Sequence, residues 1–148
     1  DSWIAENVIW ENSGETGGGL YCVGHNTVRE NRIFRNSASR GGGMARETTS
    51  NTFNNLIFEN TAGIGAGAYL KYITDGFYNN TIVANRGDGI HTVFGAPGSI
   101  HHTIVAFNQG RAINCDDDHP TMRVTVTSCD VFGNGAGDLL CGTDGGGN

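Results

Sequence analysis

The sequence predicts an all-β fold, a right-handed parallel β-helix (β-solenoid) of about six coils of roughly 24 residues. Three observations lead there. A motif Asn-x-Ile-x-x-Asn recurs down the chain, a glycine cluster with a short apolar strand follows each copy, and helical periodicity is absent. The motif opens as Asn7-Val8-Ile9-Trp10-Glu11-Asn12 and returns 24 residues later at Asn31 and again at Asn55. It continues from Asn80, loosens to His102-Thr103-Ile104-Val105-Ala106-Phe107-Asn108, and ends as Cys129-Asp130-Val131-Phe132-Gly133-Asn134. The glycine clusters run Gly17-Gly18-Gly19-Leu20, Gly41-Gly42-Gly43-Met44, Gly65-Ala66-Gly67-Ala68 and Gly87-Asp88-Gly89-Ile90, with weaker versions before Ile113 and Leu139.

A unit this short cannot bury its own inward face, so coils must stack at the strand spacing of about 4.8 Å, which makes equivalent residues vertical neighbours. Ile9, Ile33, Ile57, Ile82, Ile104 and Val131 are expected as one inward column, and Leu20, Met44, Ala68, Ile90, Ile113 and Leu139 as another. The first asparagines of the motif, Asn7, Asn31, Asn55 and Asn80, share a face with the isoleucines and read as a structural ladder of amide-to-amide bonds. Trp10, Phe34 and Phe58, then Val83, Val105 and Phe132, form a parallel series expected to cover a corner of the coil.

Composition narrows the classes. Glycine fills 24 of 148 positions, about twice the ordinary share of about 7%, with only two prolines, which points to tight repeated turns. The formal charge is −6. No basic stripe of the kind that displaces counterions from nucleic acid is present, so nucleic acid is excluded as an expected partner. No apolar run approaches the roughly 20 residues of a membrane-spanning helix, so membrane insertion is not expected. Four cysteines are too few for a disulfide framework but suit an exported chain.

The Asn-x-Ile-x-x-Asn plus Gly-Gly-Gly-Leu pattern resembles the parallel β-helix repeats of secreted bacterial proteins, a superfamily that includes pectate lyases, polygalacturonases, phage tailspikes and surface adhesins. It is closer to the repeat-only members than to an enzyme group. The matching residues are those that stack and turn, so the resemblance implies fold and a secreted or cell-surface location, and it carries over no catalytic residues. The polygalacturonase-like Asn-Thr-Asp, Asp-Asp and Gly-His-Gly set is not present as a group.

Several clusters compete for function. Asp116-Asp117-Asp118-His119 could hold Ca²⁺ through oxygen ligands, with Asp144 offset from Cys141 as Asp118 is from Cys115 and so placed to add a fourth carboxylate; the simpler reading is a solvated acidic turn. Asp88 and His91 lie near that loop on adjacent coils and are the candidate catalytic pair for cleaving an acidic polysaccharide, although Asp88 shares a column with Arg111 and an interstrand ion pair explains it more simply. Tyr21, Tyr69 and His91 share an outward column that could stack on sugar rings, interrupted by Ala45. Arg86-Gly87-Asp88 falls inside a glycine turn, Thr125 and Thr127 occupy one coil only, and the single sequon, Asn79-Asn80-Thr81, runs into a strand.

Cys22, Cys115 and Cys141 share one inward column on coils one, five and six. Four coil steps place Cys22 about 19 Å from Cys115, beyond disulfide reach. At most two of Cys115, Cys129 and Cys141 can bond to each other, which makes Cys22 a buried free thiol unless chains stack end to end.

The whole of residues 1–148 reads as one β-helix domain that needs no cofactor other than the candidate Ca²⁺. It opens within a repeat at Asp1-Ser2-Trp3-Ile4 and closes on Gly145-Gly146-Gly147-Asn148 without a capping helix, which suggests a segment of a longer solenoid or, second, a unit that self-associates through its coil ends. The leading functional expectation is a secreted or surface-exposed structural or adhesive module with a glycan or cell-surface ligand and no catalysis. A polysaccharide-cleaving fragment and an extracellular filament subunit are the alternatives. The register itself is testable: Ile57→Asp places an unpartnered charge in the central column and should abolish the cooperative thermal transition, whereas unchanged melting would refute the inward assignment.

Overall fold

The computed structural model of the chain describes residues 2–48, 50–73, 76–93, 98–116, 124–138 and 143–148, with Thr143 and Asp144 described by backbone alone. The architecture is a parallel β-solenoid in which each of the first three coils contributes one short strand to each of four sides. The first coil runs Ser2–Ala5, Val8–Trp10, Ser13–Thr16 and Leu20–Cys22, and the second repeats it as Asn26–Arg29, Arg32–Phe34, Ser37–Arg40 and Met44–Arg46. Stacking these strands produces four parallel sheets, of seven, six, three and five strands in the order the chain meets them. The described strands complete about five full turns, somewhat fewer than the sequence suggested. The fourth sheet ends at Ile113–Cys115, and the stretch expected to extend it, around Leu139, lies outside the described residues.

The corners explain why the motif recurs. Between the first and second sheets a single residue takes a left-handed conformation in every coil: Glu6, Glu30, Asn54, Asn79, His102 and Ser128, with φ between 49° and 60°. Between the second and third sheets the same role falls to Glu11, Arg35, Glu59, Ala84 and Phe107, and then to Gly133. Side-chain-bearing residues resist this region because Cβ crowds the following carbonyl. In the better-conserved copies the next residue is an asparagine whose amide fastens the corner. Asn31 donates from Nδ2 to the carbonyls of Ile4 (2.8 Å) and Arg29 (2.9 Å), and to Asn55 Oδ1 (3.0 Å). Its own Oδ1 accepts the backbone and side-chain N–H groups of Asn7.

The asparagine at the start of the motif therefore repeats its bonds from coil to coil through Asn7, Asn31, Asn55 and Asn80. The asparagine at its end builds a second ladder, which the sequence reading did not assign: Asn12, Asn36, Asn60, Asn85, Asn108 and Asn134. The first ladder continues with substitutes. Thr103 Oγ1 accepts the backbone N–H of Asn80 (3.3 Å), Cys129 follows, and Asn148 Oδ1 accepts the backbone N–H of Cys129 (2.9 Å).

Thr103 in the ladder corrects one register assignment. His102 is the left-handed corner, so the fifth copy starts at Thr103, Ile82 pairs with Val105, and Ile104 pairs with Thr81 on the outer face, where it is 37% exposed. Val105 thus joins Ile33, Ile57 and Ile82 in the inward column, all fully buried. The outer aromatic series shifts with it, so that Ala106 rather than Val105 succeeds Val83. This series faces outward from the second sheet instead of covering a corner. Trp10 is half exposed, and its ring stacks on Phe34 at 6.1 Å as Phe34 stacks on Phe58 at 4.8 Å.

The glycine clusters form the turn into the fourth sheet. Gly41 holds φ 64°, and a Cβ on Gly43 would meet Gly67 O at 2.6 Å, Ile57 Cγ2 at 2.6 Å and Asn60 Nδ2 at 2.9 Å. The backbone passes directly over the core column and the second ladder, so no side chain fits there.

Asn60 is fully buried and bonds both to the neighbouring Asn85 and to Ile33 O, while Asn12 begins the ladder exposed to solvent. Asn60→Ala should cost about 3 kcal/mol by orphaning buried donors and acceptors, and Asn12→Ala less than about 1 kcal/mol. Denaturant midpoints measured at unchanged m value check the contrast.

Candidate functional site

Several of the polar residues that the sequence singled out lie on the outer face of the fourth sheet. Register pairs Tyr21 with Ala45, Ala45 with Tyr69, Tyr69 with His91, and His91 with Asn114. Asp88 lies three residues before His91, and Asp116 follows the strand Ile113–Cys115 on the next coil. The fold therefore brings Asp88, His91, Asn114 and Asp116 together.

His91 is only 6% exposed. Its ring stacks against Tyr69 at 6.0 Å with an interplanar angle of 11°, and its Nε2 lies 3.1 Å from Asp116 Oδ1. Its Nδ1 is sealed from solvent 3.9 Å from Asp88 Oδ2, beyond hydrogen-bond distance, and has no hydrogen-bond partner among the described residues. Asp88 does not pair with the Arg111 side chain as expected. Its Oδ1 accepts the Arg111 backbone N–H and its Oδ2 accepts an Asn114 Nδ2–H, both at 2.8 Å. The turn requires a backbone-length bond here: a Cβ on Gly110 would sit 2.4 Å from Asp88 Oδ1.

These contacts limit the chemistry. Each Asp88 oxygen accepts a hydrogen bond, and His91 Nε2 lies against Asp116, whose side chain is 54% exposed. Asp88 and His91 thus link coils four and five. Tyr69 has one ring face covered by His91, and Ala45 is fully buried between Tyr69 and the exposed Tyr21, so the column is not a continuous flat platform.

Of the acidic loop, Asp117 and Asp118 lie outside the described residues, as do Cys141 and the side chain of Asp144. The Asp144 backbone pairs with Val126 in the first sheet, on a different side of the coil from Asp116. Among the described residues no group of three or more His, Cys, Asp or Glu is placed to hold a metal ion. Gly87 forms a turn at φ 140°, and Asn79, the acceptor of the sequon, is an exposed left-handed corner residue at φ 52° beside the buried Asn80.

Two features escaped the sequence reading. Phe53, Tyr78 and His101 stack as a second ring column at 5.0 and 5.2 Å on the first sheet, each two residues before a first-ladder position, a spacing that was readable. Arg46 occupies the inward column between Cys22 and Leu70 and is fully buried. Its Nη1 donates to Ser50 O and to Thr52 Oγ1 (3.4 Å), while Nε and Nη2 have no partner among the described residues. Comparing Leu20-Tyr21-Cys22, Met44-Ala45-Arg46 and Ala68-Tyr69-Leu70 position by position would have exposed it. Burial pulls the Arg46 guanidinium down to about 10, partly offset by Cys22. Cys22 and Cys129 are free thiols, and Cys115 is disulfide-bonded.

Stacked parallel sheets around an aliphatic core, with ladders at the corners, define a β-solenoid. The family model described as a right handed beta helix region matches residues 1–147, and the chain belongs to that family. No curated protein and no solved structure matches it.

Burial pushes the Cys22 thiol from 9.0 up to about 11, with Arg46 opposing. In the unfolded chain the thiol ionises near its ordinary value while the folded thiol stays neutral. The stability this contributes is fully present below about pH 9 and is lost as pH rises towards 11. Urea unfolding followed across that interval should show a smaller alkaline loss in Cys22→Ala than in the parent chain.

Proposed function

We propose that this β-helix is a rigid structural or adhesive module, secreted or displayed at a cell surface, that engages a glycan or surface ligand through its side faces and performs no catalysis. The observation that carries this reading is the engagement of the candidate acid–base pair in coil-to-coil bonding: each oxygen of Asp88 accepts a hydrogen bond, and His91 is buried beneath Tyr69. Rigidity is supported by the two amide ladders, which cross-link successive coils at two corners. An exported setting is supported by the disulfide at Cys115, a bond that persists in oxidising compartments. Exposed rings at Trp3, Trp10, Tyr21 and Tyr72 offer aromatic surface to such a ligand.

Polysaccharide cleavage is the second reading, favoured by one contact: the exposed Asp116 carboxylate held on His91 Nε2 at 3.1 Å. The two readings separate experimentally. Acidic polysaccharides incubated with the chain, with and without Ca²⁺, should release neither unsaturated sugars nor new reducing ends, and a glycan array should return ligands whose binding weakens severalfold in Tyr21→Ala. Product release that disappears in His91→Ala and Asp116→Ala would replace the binding reading with the enzymatic one. An array without ligands would leave only the structural role.

A further inference from the structure

The outer face of the second sheet is unusually apolar for a surface and is patterned along the solenoid axis. Its first outward column reads Arg32, Leu56, Thr81, Ile104 and Asp130 over coils two to six. The column beside it reads Phe34, Phe58, Val83, Ala106 and Phe132 over the same coils. Coil one precedes them with Val8 and Trp10, both exposed, so within coils two to six only the first and last residues of the first column carry charge, with opposite signs. Among the described residues neither Arg32 nor Asp130 has an ion-pair partner, although Arg32 lies over the Phe34 ring at 5.9 Å.

This order is self-complementary when reversed. The geometry points to a face-to-face, antiparallel homodimer whose two-fold axis runs along the strand direction at coil four. Such an axis keeps each column opposite itself and inverts the coil order. Arg32 then meets Asp130 of the second copy, Leu56 meets Ile104, and Thr81 meets its own counterpart. In the neighbouring column Phe34 faces Phe132, Val83 faces Val83, and Phe58 faces the position of Ala106, which is already covered within its own chain. The interaction is isologous and closes on itself, unlike coil-end stacking, which propagates.

Charge selects the register. Moving the axis by half a coil towards the start would set Arg32 against Ile104 and Asp130 against Val8, and moving it a full coil would set Arg32 against Thr81 and leave Asp130 outside the contact. Each slip buries a guanidinium without a carboxylate, which is costly once water is excluded. Only the coil-four axis pairs both charges, and it does so twice by symmetry. The flanking corner residues do not oppose it: Glu30 faces Ser128 and Arg35 faces Gly133 in this arrangement, and Arg35 is already bonded to Glu59 at 2.8 Å. Five coils span about 19 Å along the axis, and the two columns stand about 7 Å apart. That places the contact in the small interface class of less than about 1,200 Å², where association is weak and concentration-dependent.

Sedimentation velocity on the full chain over a wide concentration series tests the inference. The expected result is a monomer–dimer equilibrium with no larger species. Asp130→Arg should weaken dimerisation by about tenfold or more, because it sets like charges against each other at two places. Combining it with Arg32→Asp should return the dissociation constant to near the parent value. Thr81→Arg, an outward substitution on the axis, should abolish the dimer through a separate mechanism while circular dichroism confirms the fold. A chain that stays monomeric at every concentration, that grows into fibres, or that dimerises with indifference to both Asp130→Arg and Thr81→Arg would overturn it.

Discussion

A coil of about 24 residues must turn sharply several times, and two of those turns place a residue other than glycine in the left-handed region in nearly every coil. That conformation is unfavourable for Glu, Arg or Phe, and it points backbone donors and acceptors where no strand can meet them. The asparagine after the corner answers both difficulties. Its amide carries donors and an acceptor on a short, stiff side chain, and at Asn36 and Asn60 the same set of bonds reaches the coil on either side. Everything else in the fold follows from this fastening, because a stack in which each coil bonds to the next at its corners cannot slip by one residue without breaking the ladder.

The ladder also determines how substitutions are absorbed. At Thr103 a hydroxyl takes over the acceptor role, and at Cys129 the thiol lies 3.4 Å from Thr127 O and 3.6 Å from Ile100 O, where asparagines elsewhere donate from Nδ2. Coil length varies as well, since ladder partners lie 23 to 26 residues apart. The described strands nevertheless stay in register from coil to coil.

Stacking makes every position a column, and this shapes where chemistry can sit. Polar groups that stand between coils, such as Asp88 and Asn114, bond along the axis. Arg46 is the exception inside the core. It replaces an apolar residue between Cys22 and Leu70 and fastens the turn at Ser50 with one nitrogen while two others remain without a partner among the described residues. A buried cation without a carboxylate is poor evidence for stability, so its value lies in the turn it holds. Functional surface is left to the outward columns, where rings stack edge-outward and charges stand apart.

The repeat, the parallel stacking and the aliphatic columns were legible in the residues, because each depends on spacing that chemistry makes visible: isoleucine at alternate positions, asparagine at corners, glycine where backbones touch. The aromatic columns were partly legible, and their direction was not, since whether a ring covers a corner or faces outward depends on the corner geometry. The slip at the fifth copy was hidden because Ile104 and Val105 are equally apolar, and only the hydroxyl of Thr103 accepting from Asn80 decides between them. The engagement of Asp88 could not be read either, because an aspartate beside an arginine suggests an ion pair until the backbone amide is seen to arrive first. By itself the sequence determined the solenoid and its core, which follow from periodicity along the chain. Only the tertiary structure decided the fate of the polar groups, because a hydrogen bond depends on distances between coils to within a few tenths of an ångström, and no spacing in the sequence carries that information.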